Sequence, residues 1–366
     1  MTPQRLGVAS AVVAGTIVTG DVEVVDGRIS TAGCAPAGRR GLAVPGLIDL
    51  HVHGCGGVDF LHADEGSRRT GDRCLLAGGV TAHQPALMTA PPDVLAAALA
   101  RLAHATDGGP RMLGAHLEGP FLAPGRLGTH DPRHRRDPDV ALLERLLAAG
   151  PVGEVTLAPE LPGALELVAV LVARDVVVSV GHTDATAAQA RAAFAAGARS
   201  ATHLCNAMRR LHHREPGVIG AALTTAGVTV EVVVDGHHLD DDMVRLIWQA
   251  AGDRVALVSD GTAAAGLPDG AYTVGDSVLH VADGAVRDDG VLAGSALTLI
   301  DAVRNLHGLG IALPAAVTAA SRVPARLVRR DDLGTLRPGA TADVVVLDDA
   351  LTVRETFVGG RRVHAA

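Results

Sequence analysis

From Pro45 onward, short apolar runs of strand length alternate with Ala/Leu-rich segments of helical period, and no feature of this 366-residue chain constrains its fold more. Strand candidates end near His53, Leu87, Glu118, Pro159, His182, His203, Asp235 and Asp260. Helix candidates lie between them at 66–77, 92–105, 139–149, 162–173, 185–196, 216–226 and 240–251. Alternating strands and helices build a parallel sheet, because each parallel pairing needs a crossover that returns the chain to the same end, and eight such units predict a (β/α)8 barrel. Six of the eight strand ends carry His, Glu or Asp. The C-terminal strand ends are where a barrel keeps its active site, so the placement of these residues points to function as well as fold.

The two ends of the chain read differently. Residues 1–44 are short strands and turns punctuated by Gly and Pro, and the tail from Gly334 returns to a period-two pattern through Val344-Val345-Val346-Leu347. We therefore expect 1–44 and 330–366 to share a small β domain and 45–329 to form the barrel. After Asp260, a Gly/Asp-rich excursion over 261–292 contains hairpin-like strands, and helices at about 295–308 and 313–323 would close the barrel.

Composition excludes several classes of function. With 48% hydrophobic residues and a formal net charge of -8, the chain has ample core, and its acidic balance argues against general nucleic-acid binding. At 2% aromatic residues it offers few stacking platforms, and no apolar stretch reads as a membrane span. All 32 positive residues are Arg, with no Lys anywhere. Cys34, Cys55, Cys74 and Cys205 form no CxxC pair, so neither a disulfide framework nor a structural zinc knuckle is expected, and a reducing cytoplasm fits.

The chemistry is carried by the His51/His53 run and five further clusters. Leu47-Ile48-Asp49-Leu50-His51-Val52-His53 ends an apolar run in two histidines one residue apart. Side chains alternate faces along a strand, so His51 and His53 point the same way and can reach one ion. In Ala115-His116-Leu117-Glu118-Gly119-Pro120 a carboxylate precedes a Gly-Pro turn that holds Glu118 at the rim. Gly181-His182-Thr183-Asp184 and Thr202-His203-Leu204-Cys205 each place one His at the end of a Val- or Ala-rich run. Two imidazoles and a carboxylate leave one position open for water, the ligand set of a hydrolytic zinc centre. Any one of these histidines could simply cap a loop; in register on one rim, they read as a metal site.

Leu257-Val258-Ser259-Asp260-Gly261 ends the eighth strand with a lone carboxylate able to take a proton from water, the plain alternative being a turn-capping Asp. Arg214, with His237 and His238, puts positive and polar groups on neighbouring rim loops. Such groups suit an anionic substrate, and a solvated loop would explain them equally well.

The PGLIDLHVHG, HLEGPF, GHTDAT, THLCNAM and SDGTAAAG segments and the GTLRPGATADVVVLD tail closely resemble, in order over nearly the whole chain, the N-acetylglucosamine-6-phosphate deacetylases of the amidohydrolase superfamily. The opening motif and the tail occur across many amidohydrolases; HLEGPF, THLxNAM and REPG together are specific. The resemblance implies a distorted (β/α)8 TIM-like barrel with a small β-sandwich built from both chain ends, a homodimer, and hydrolysis of the acetamide of N-acetylglucosamine 6-phosphate to glucosamine 6-phosphate and acetate. By motif, Glu118, His182 and His203 match the principal metal ligands, Asp260 the catalytic acid/base, and His130 a histidine that polarises the amide carbonyl. Asn206, Ala207, Arg214 and His238 match positions that hold the phosphate and sugar. The cofactor implied is a divalent metal, zinc before iron, manganese, cobalt or cadmium, in one tight site. His51 and His53, which some family members replace, would add a weaker second site sharing Glu118. Without Lys there is no residue to carboxylate as a bridge between two ions, which disfavours the urease, dihydroorotase and phosphotriesterase relatives and leaves Glu118 as the available bridge. Another amidohydrolase, such as a deaminase or an N-acyl amino acid hydrolase, is the alternative, and a non-catalytic metal- or sugar-binding barrel stands behind it.

Overall fold

Eight parallel strands pair in chain order around a barrel: β1 (Leu47–Val52), β2 (Val80–Met88), β3 (Ala115–Glu118), β4 (Val152–Leu157), β5 (Val177–Val180), β6 (Ser200–Ala201), β7 (Thr229–Val232) and β8 (Val255–Leu257). The segment after β8 closes the ring on β1, with Asp260 N donating to His51 O at 2.9 Å and His53 N to Gly261 O at 2.7 Å. Irregular register between β1 and β2 and the two-residue β6 distort the barrel as expected. The computed structural model describes residues 3–104, 106–274 and 277–366; residue 105, the last of the 92–105 helix expectation, lies outside them.

The helices fall where the periodicity put them: α1 (Glu65–Ala77), α2 (Pro92–Leu102), α3 (Val140–Ala149), α4 (Ala164–Ala173), α5 (Ala187–Ala195), α6 (Gly217–Thr224), α7 (Asp241–Ala251) and α8 (Leu299–Gly308). At α1, α3, α5 and α7 short polar side chains satisfy the first free N–H groups. Asp139 accepts from Ala141 N at 2.8 Å, and Thr186 with Gln189 forms a reciprocal capping box. The 313–323 expectation resolves into two shorter helices, Leu313–Ala319 and Arg322–Leu327. Ser321 breaks the run with extended φ, and Pro324, which has no N–H to donate, sits in the first turn of the second helix, where that donor is not needed.

Strand alternation sorts the barrel into an apolar outer face and a polar interior. Ala115 and Leu117 of β3, Val155 and Leu157 of β4, and Val230 and Val232 of β7 share one buried cluster with helix residues such as Leu95, Leu99 and Leu143. His116 and Glu118, Glu154 and Thr156, and Glu231 occupy the opposite faces of those strands and are buried as well. An interior of imidazoles, carboxyls and hydroxyls is costly unless each group is paired, so what pairs them is a functional question.

Both chain ends contribute to one six-stranded sheet, ordered Arg361–Ala365, Val353–Val358, Val344–Leu347, Arg40–Pro45, Val8–Val13, Thr16–Thr19. With a three-stranded sheet of Gln4–Arg5, Asp21–Val25 and Arg28–Cys34, it encloses a core of Leu6, Val22, Ile29, Val344 and Phe357. The excursion after Asp260 is a four-stranded antiparallel sheet. No helix among the described residues is long and apolar enough to cross a membrane.

One expectation is overturned. Cys55, in the hairpin that follows β1, and Cys74, on α1, form a disulfide with Cα atoms 5.9 Å apart. Their separation of 19 residues carries no signature; the packing of α1 against that hairpin creates the proximity. Cysteine spacing therefore says nothing here about compartment, and Cys34 and Cys205 are the free thiols.

Candidate metal centre

The C-terminal ends of six different strands deliver their polar residues to one point. Glu118, the last residue of β3, lies at the centre: its Oε1 is 2.9 Å from His182 Nε2, 3.0 Å from His203 Nε2 and 3.5 Å from His51 Nε2. Its Oε2 is 3.1 Å from His130 Nε2 and 3.5 Å from His53 Nε2. All of these residues are buried. His182, His203 and Asp260 turn inward through left-handed backbone, with φ of 47°, 26° and 49°. That conformation costs a non-glycine residue on the order of 1–3 kcal/mol, and such strain collects at functional sites. Gly181 lets β5 approach closely enough for this, since a Cβ there would sit 2.7 Å from Thr156 Cγ2 and 2.8 Å from Thr202 Cβ.

The outer nitrogens of these rings decide what the inner ones can do. His182 Nδ1 lies 2.8 Å from Arg126 O and His53 Nδ1 3.2 Å from Ala86 O. A carbonyl can only accept, so each ring carries its proton on Nδ1 and turns the Nε2 lone pair inward. His182 Nε2 and His203 Nε2 then meet at 3.1 Å, and His51 Nε2 and His53 Nε2 at 3.2 Å. Where both rings of a pair turn their lone pairs inward, each pair with its buried carboxylate makes a donor set that fits a divalent cation. Two such sets are present, Glu118 with His182 and His203, and Asp260 with His51 and His53.

His130 is different. Thr89 N donates to its Nδ1 at 3.2 Å, so the proton sits on Nε2, aimed at Glu118 Oε2. Burial lowers its pKa to about 4, which keeps the ring neutral and makes it a hydrogen-bond donor rather than a ligand. Burial alone would raise the Glu118 carboxyl, but the surrounding imidazoles of His130, His182 and His51 outweigh it and hold that group well below the carboxylate range. Asp260 is likewise buried yet held low, by a hydrogen bond from His238 and by the imidazoles of His51 and His53. Cys205, pushed up to about 12 by burial, is no nucleophile.

His238 sits inside this group rather than out on the rim. Its Nδ1 is 2.7 Å from Asp235 Oδ2 and its Nε2 3.4 Å from Asp260 Oδ2. Burial disfavours its charge, but the two carboxylates prevail and raise its pKa to about 9. Its neighbour His237 faces outward and bonds Asp283 O. Asn206 turns its amide onto His203 O at 3.3 Å, and Ala207 O accepts from Thr183 N at 3.1 Å, which places both beside His203 and His182. Arg214 is exposed on its loop, its guanidinium 2.7 Å from His213 Nε2.

The chain belongs to the amidohydrolase family. That family's model matches residues 42–363, the barrel with the strands that lead into and out of it. Within it, the chain is 38% identical over 353 residues to the N-acetylglucosamine-6-phosphate deacetylase of Vibrio furnissii, covering 94% of this chain and 88% of that one. It is 40% identical over 331 residues to the N-acetylgalactosamine-6-phosphate deacetylase of Escherichia coli O157:H7, covering 87% of each. The solved structure of a mutant N-acetyl-D-glucosamine-6-phosphate deacetylase from Mycobacterium smegmatis, in complex with N-acetyl-D-glucosamine-6-phosphate, superposes with a TM-score of 0.93 at 36% identity, covering 99% of this chain and all of that one.

Three interior residues escaped sequence reasoning: Glu154, Glu231 and Thr89. Glu231 had a signal, being the one charge in the apolar run Val230-Glu231-Val232-Val233-Val234. Thr89 acts through its backbone N–H on His130 and its hydroxyl on Glu118 O, contacts that only the fold creates.

Proposed function

We propose that this chain is a metal-dependent deacetylase that hydrolyses the acetamide of N-acetyl-D-glucosamine 6-phosphate to D-glucosamine 6-phosphate and acetate, in amino-sugar catabolism and cell-wall recycling. The observation that carries this reading is the meeting of Glu118, His182, His203, Asp260 and His130 at one buried point, in a chain whose relatives bear that activity in their names. A divalent ion held by Glu118, His182 and His203 activates water for attack and polarises the carbonyl when bound; zinc is the first choice for that imidazole-rich set, with a second ion at His51 and His53.

The chain's own groups do the rest. His130, neutral and protonated on Nε2, donates to the carbonyl oxygen as charge builds on it. Asp260 takes the proton of the attacking water. An amine is a poor leaving group until protonated, and Asp260 delivers that proton to the sugar nitrogen as the C–N bond breaks. His238, clamped by Asp235, faces Asp260 and the sugar. Asn206 and Ala207 line the same rim, and Arg214, a guanidinium on an exposed loop beside His213, is the cation for the phosphate. The working form we infer is a cytoplasmic homodimer, which light scattering of the purified protein checks.

The test is acetate release from N-acetylglucosamine 6-phosphate, from its galactosamine epimer and from unphosphorylated N-acetylglucosamine. The epimer belongs in the assay because the relative at 40% identity is named for it. The reading expects the phosphorylated glucosamine derivative to be used well and the unphosphorylated sugar poorly. Equal use of the phosphorylated and unphosphorylated sugars would end the phosphosugar assignment, and no acetate from any would end the deacetylase one.

A further inference from the structure

Beneath the converging imidazoles, the barrel holds two carboxyl groups that the reaction leaves unused: Glu231 of β7 and Glu154 of β4, both with no exposed surface. Glu231 Oε2 is 3.3 Å from His51 Nδ1, and its Oε1 is 3.5 Å from Ser200 Oγ. Ligand-capable atoms of Glu154, Glu231 and His116 all lie within 4.8 Å of one another. Among the described residues neither Glu154 oxygen has a close hydrogen-bond partner, the Ser179 hydroxyl offering at most a weak one. Two carboxylates this deep and this close cannot both carry charge, and Glu154 is the less well hydrogen-bonded of the two. Carrying a proton, Glu154 has Glu231 beside it as an acceptor.

His51 needs what Glu231 supplies. His53 and His182 fix their tautomers on backbone carbonyls, whereas at His51 the acceptor facing Nδ1 is the Glu231 carboxylate. Without an acceptor there, an imidazole can place its proton on Nε2 and point no lone pair at an ion. We propose that Glu231 is the positioning residue of the second metal subsite, accepting the Nδ1–H of His51 so that Nε2 faces the ion, with Glu154 bracing Glu231 from below. This rests on reading His51 as a ligand. The three-residue cluster is not itself a cation site, because both nitrogens of its histidine are taken: His116 Nδ1 lies 3.0 Å from Leu50 O and Nε2 2.7 Å from Thr156 Oγ1.

The experiment titrates metal-depleted wild type, Glu231→Gln, Glu231→Met, Glu154→Gln and His51→Ala with zinc against a chelating indicator, with elemental analysis and thermal unfolding of each. Loss of such an outer partner typically costs a site 10–100-fold in metal affinity. We expect that loss at the second ion alone in Glu231→Met, and a change of only a few-fold in Glu231→Gln, whose amide oxygen still accepts. Glu154→Gln should keep both ions, and His51→Ala should bind one. Nitrogen-15 NMR of histidine-labelled, zinc-loaded protein gives a second readout, the His51 Nδ1–H signal, present in wild type and in the Gln variant. Full second-site affinity in Glu231→Met, beside its loss in His51→Ala, would overturn the positioning role while leaving His51 a ligand. One ion in both wild type and His51→Ala would instead overturn the ligand reading itself. An ion lost from Glu154→Gln would mean that the lower cluster binds metal, and would overturn the proposal too.

Discussion

Replacing Asp260 by Asn keeps the shape of the side chain and removes the base. The Asn oxygen can still accept from His238 Nε2, now 3.4 Å from Asp260 Oδ2, so the pocket should hold its form. What disappears is a carboxylate oxygen 3.2 Å from His53 Nε2 and 3.5 Å from His51 Nε2, the one positioned to move a proton between water and the leaving nitrogen. General acid/base catalysis contributes ~10²–10⁴-fold, which corresponds to about 2.7–5.4 kcal/mol of barrier. We expect kcat to fall by at least that range, with KM for the phosphorylated sugar little changed. The ion at Glu118, His182 and His203 should remain, because none of those ligands is touched; the second ion should weaken, because Asp260 stands with His51 and His53. Steady-state acetate release with metal content measured on the same sample separates these effects. An Asn variant with its first ion in place and more than about a tenth of wild-type kcat, well above what loss of the proton carrier allows, would show that another group moves the proton.

Arg214→Ala should lose the ~1.5–3 kcal/mol of a hydrogen bond to a charged group, seen as a roughly 10–100-fold fall in kcat/KM for the phosphorylated sugar, with the unphosphorylated sugar unaffected; an equal fall for both would remove Arg214 from the phosphate. Burial lowers His116 to about 4 and His83 to about 3, against an ordinary value of ~6.5. The unfolded chain therefore takes up these protons first, and stability fully present above pH 6.5 should drain as pH falls toward about 4, on the order of 3 kcal/mol for His116. Urea unfolding from pH 7 to pH 4.5 should show a flatter loss in His116→Gln than in wild type, and identical slopes would refute the assignment.

How much could be read from the chain depended on whether a residue's role is local. The barrel was legible because strand and helix periods are local signals, and the strand-end residues Glu118, His182, His203 and Asp260 were legible because the barrel sends every C-terminal strand end to one rim. His238 was placed by motif among the groups holding phosphate and sugar, yet it reaches Asp260, because the Asp235 carboxylate turns its ring inward. Glu231 and Glu154 were not singled out, since a charge in an apolar strand acquires meaning only from the neighbour it meets, here His51 from a strand 180 residues away. The Cys55–Cys74 bond was missed for the same reason: a hairpin and a helix must pack before two thiols meet.

A metal-depletion experiment decides whether the cluster around Glu118 is a metal centre that hydrolyses an acetamide. The protein is depleted of metal with a chelator, its residual content is verified by elemental analysis, and acetate release from N-acetylglucosamine 6-phosphate is followed as zinc is returned in defined equivalents, with His182→Ala and His203→Ala alongside. Activity should vanish on depletion, return in wild type with the first equivalent, and stay absent in both variants, each of which loses one of the two imidazoles that meet Glu118 Oε1 at 2.9 and 3.0 Å. Undiminished acetate release by metal-free protein, or by either variant, would contradict the metal-centre reading.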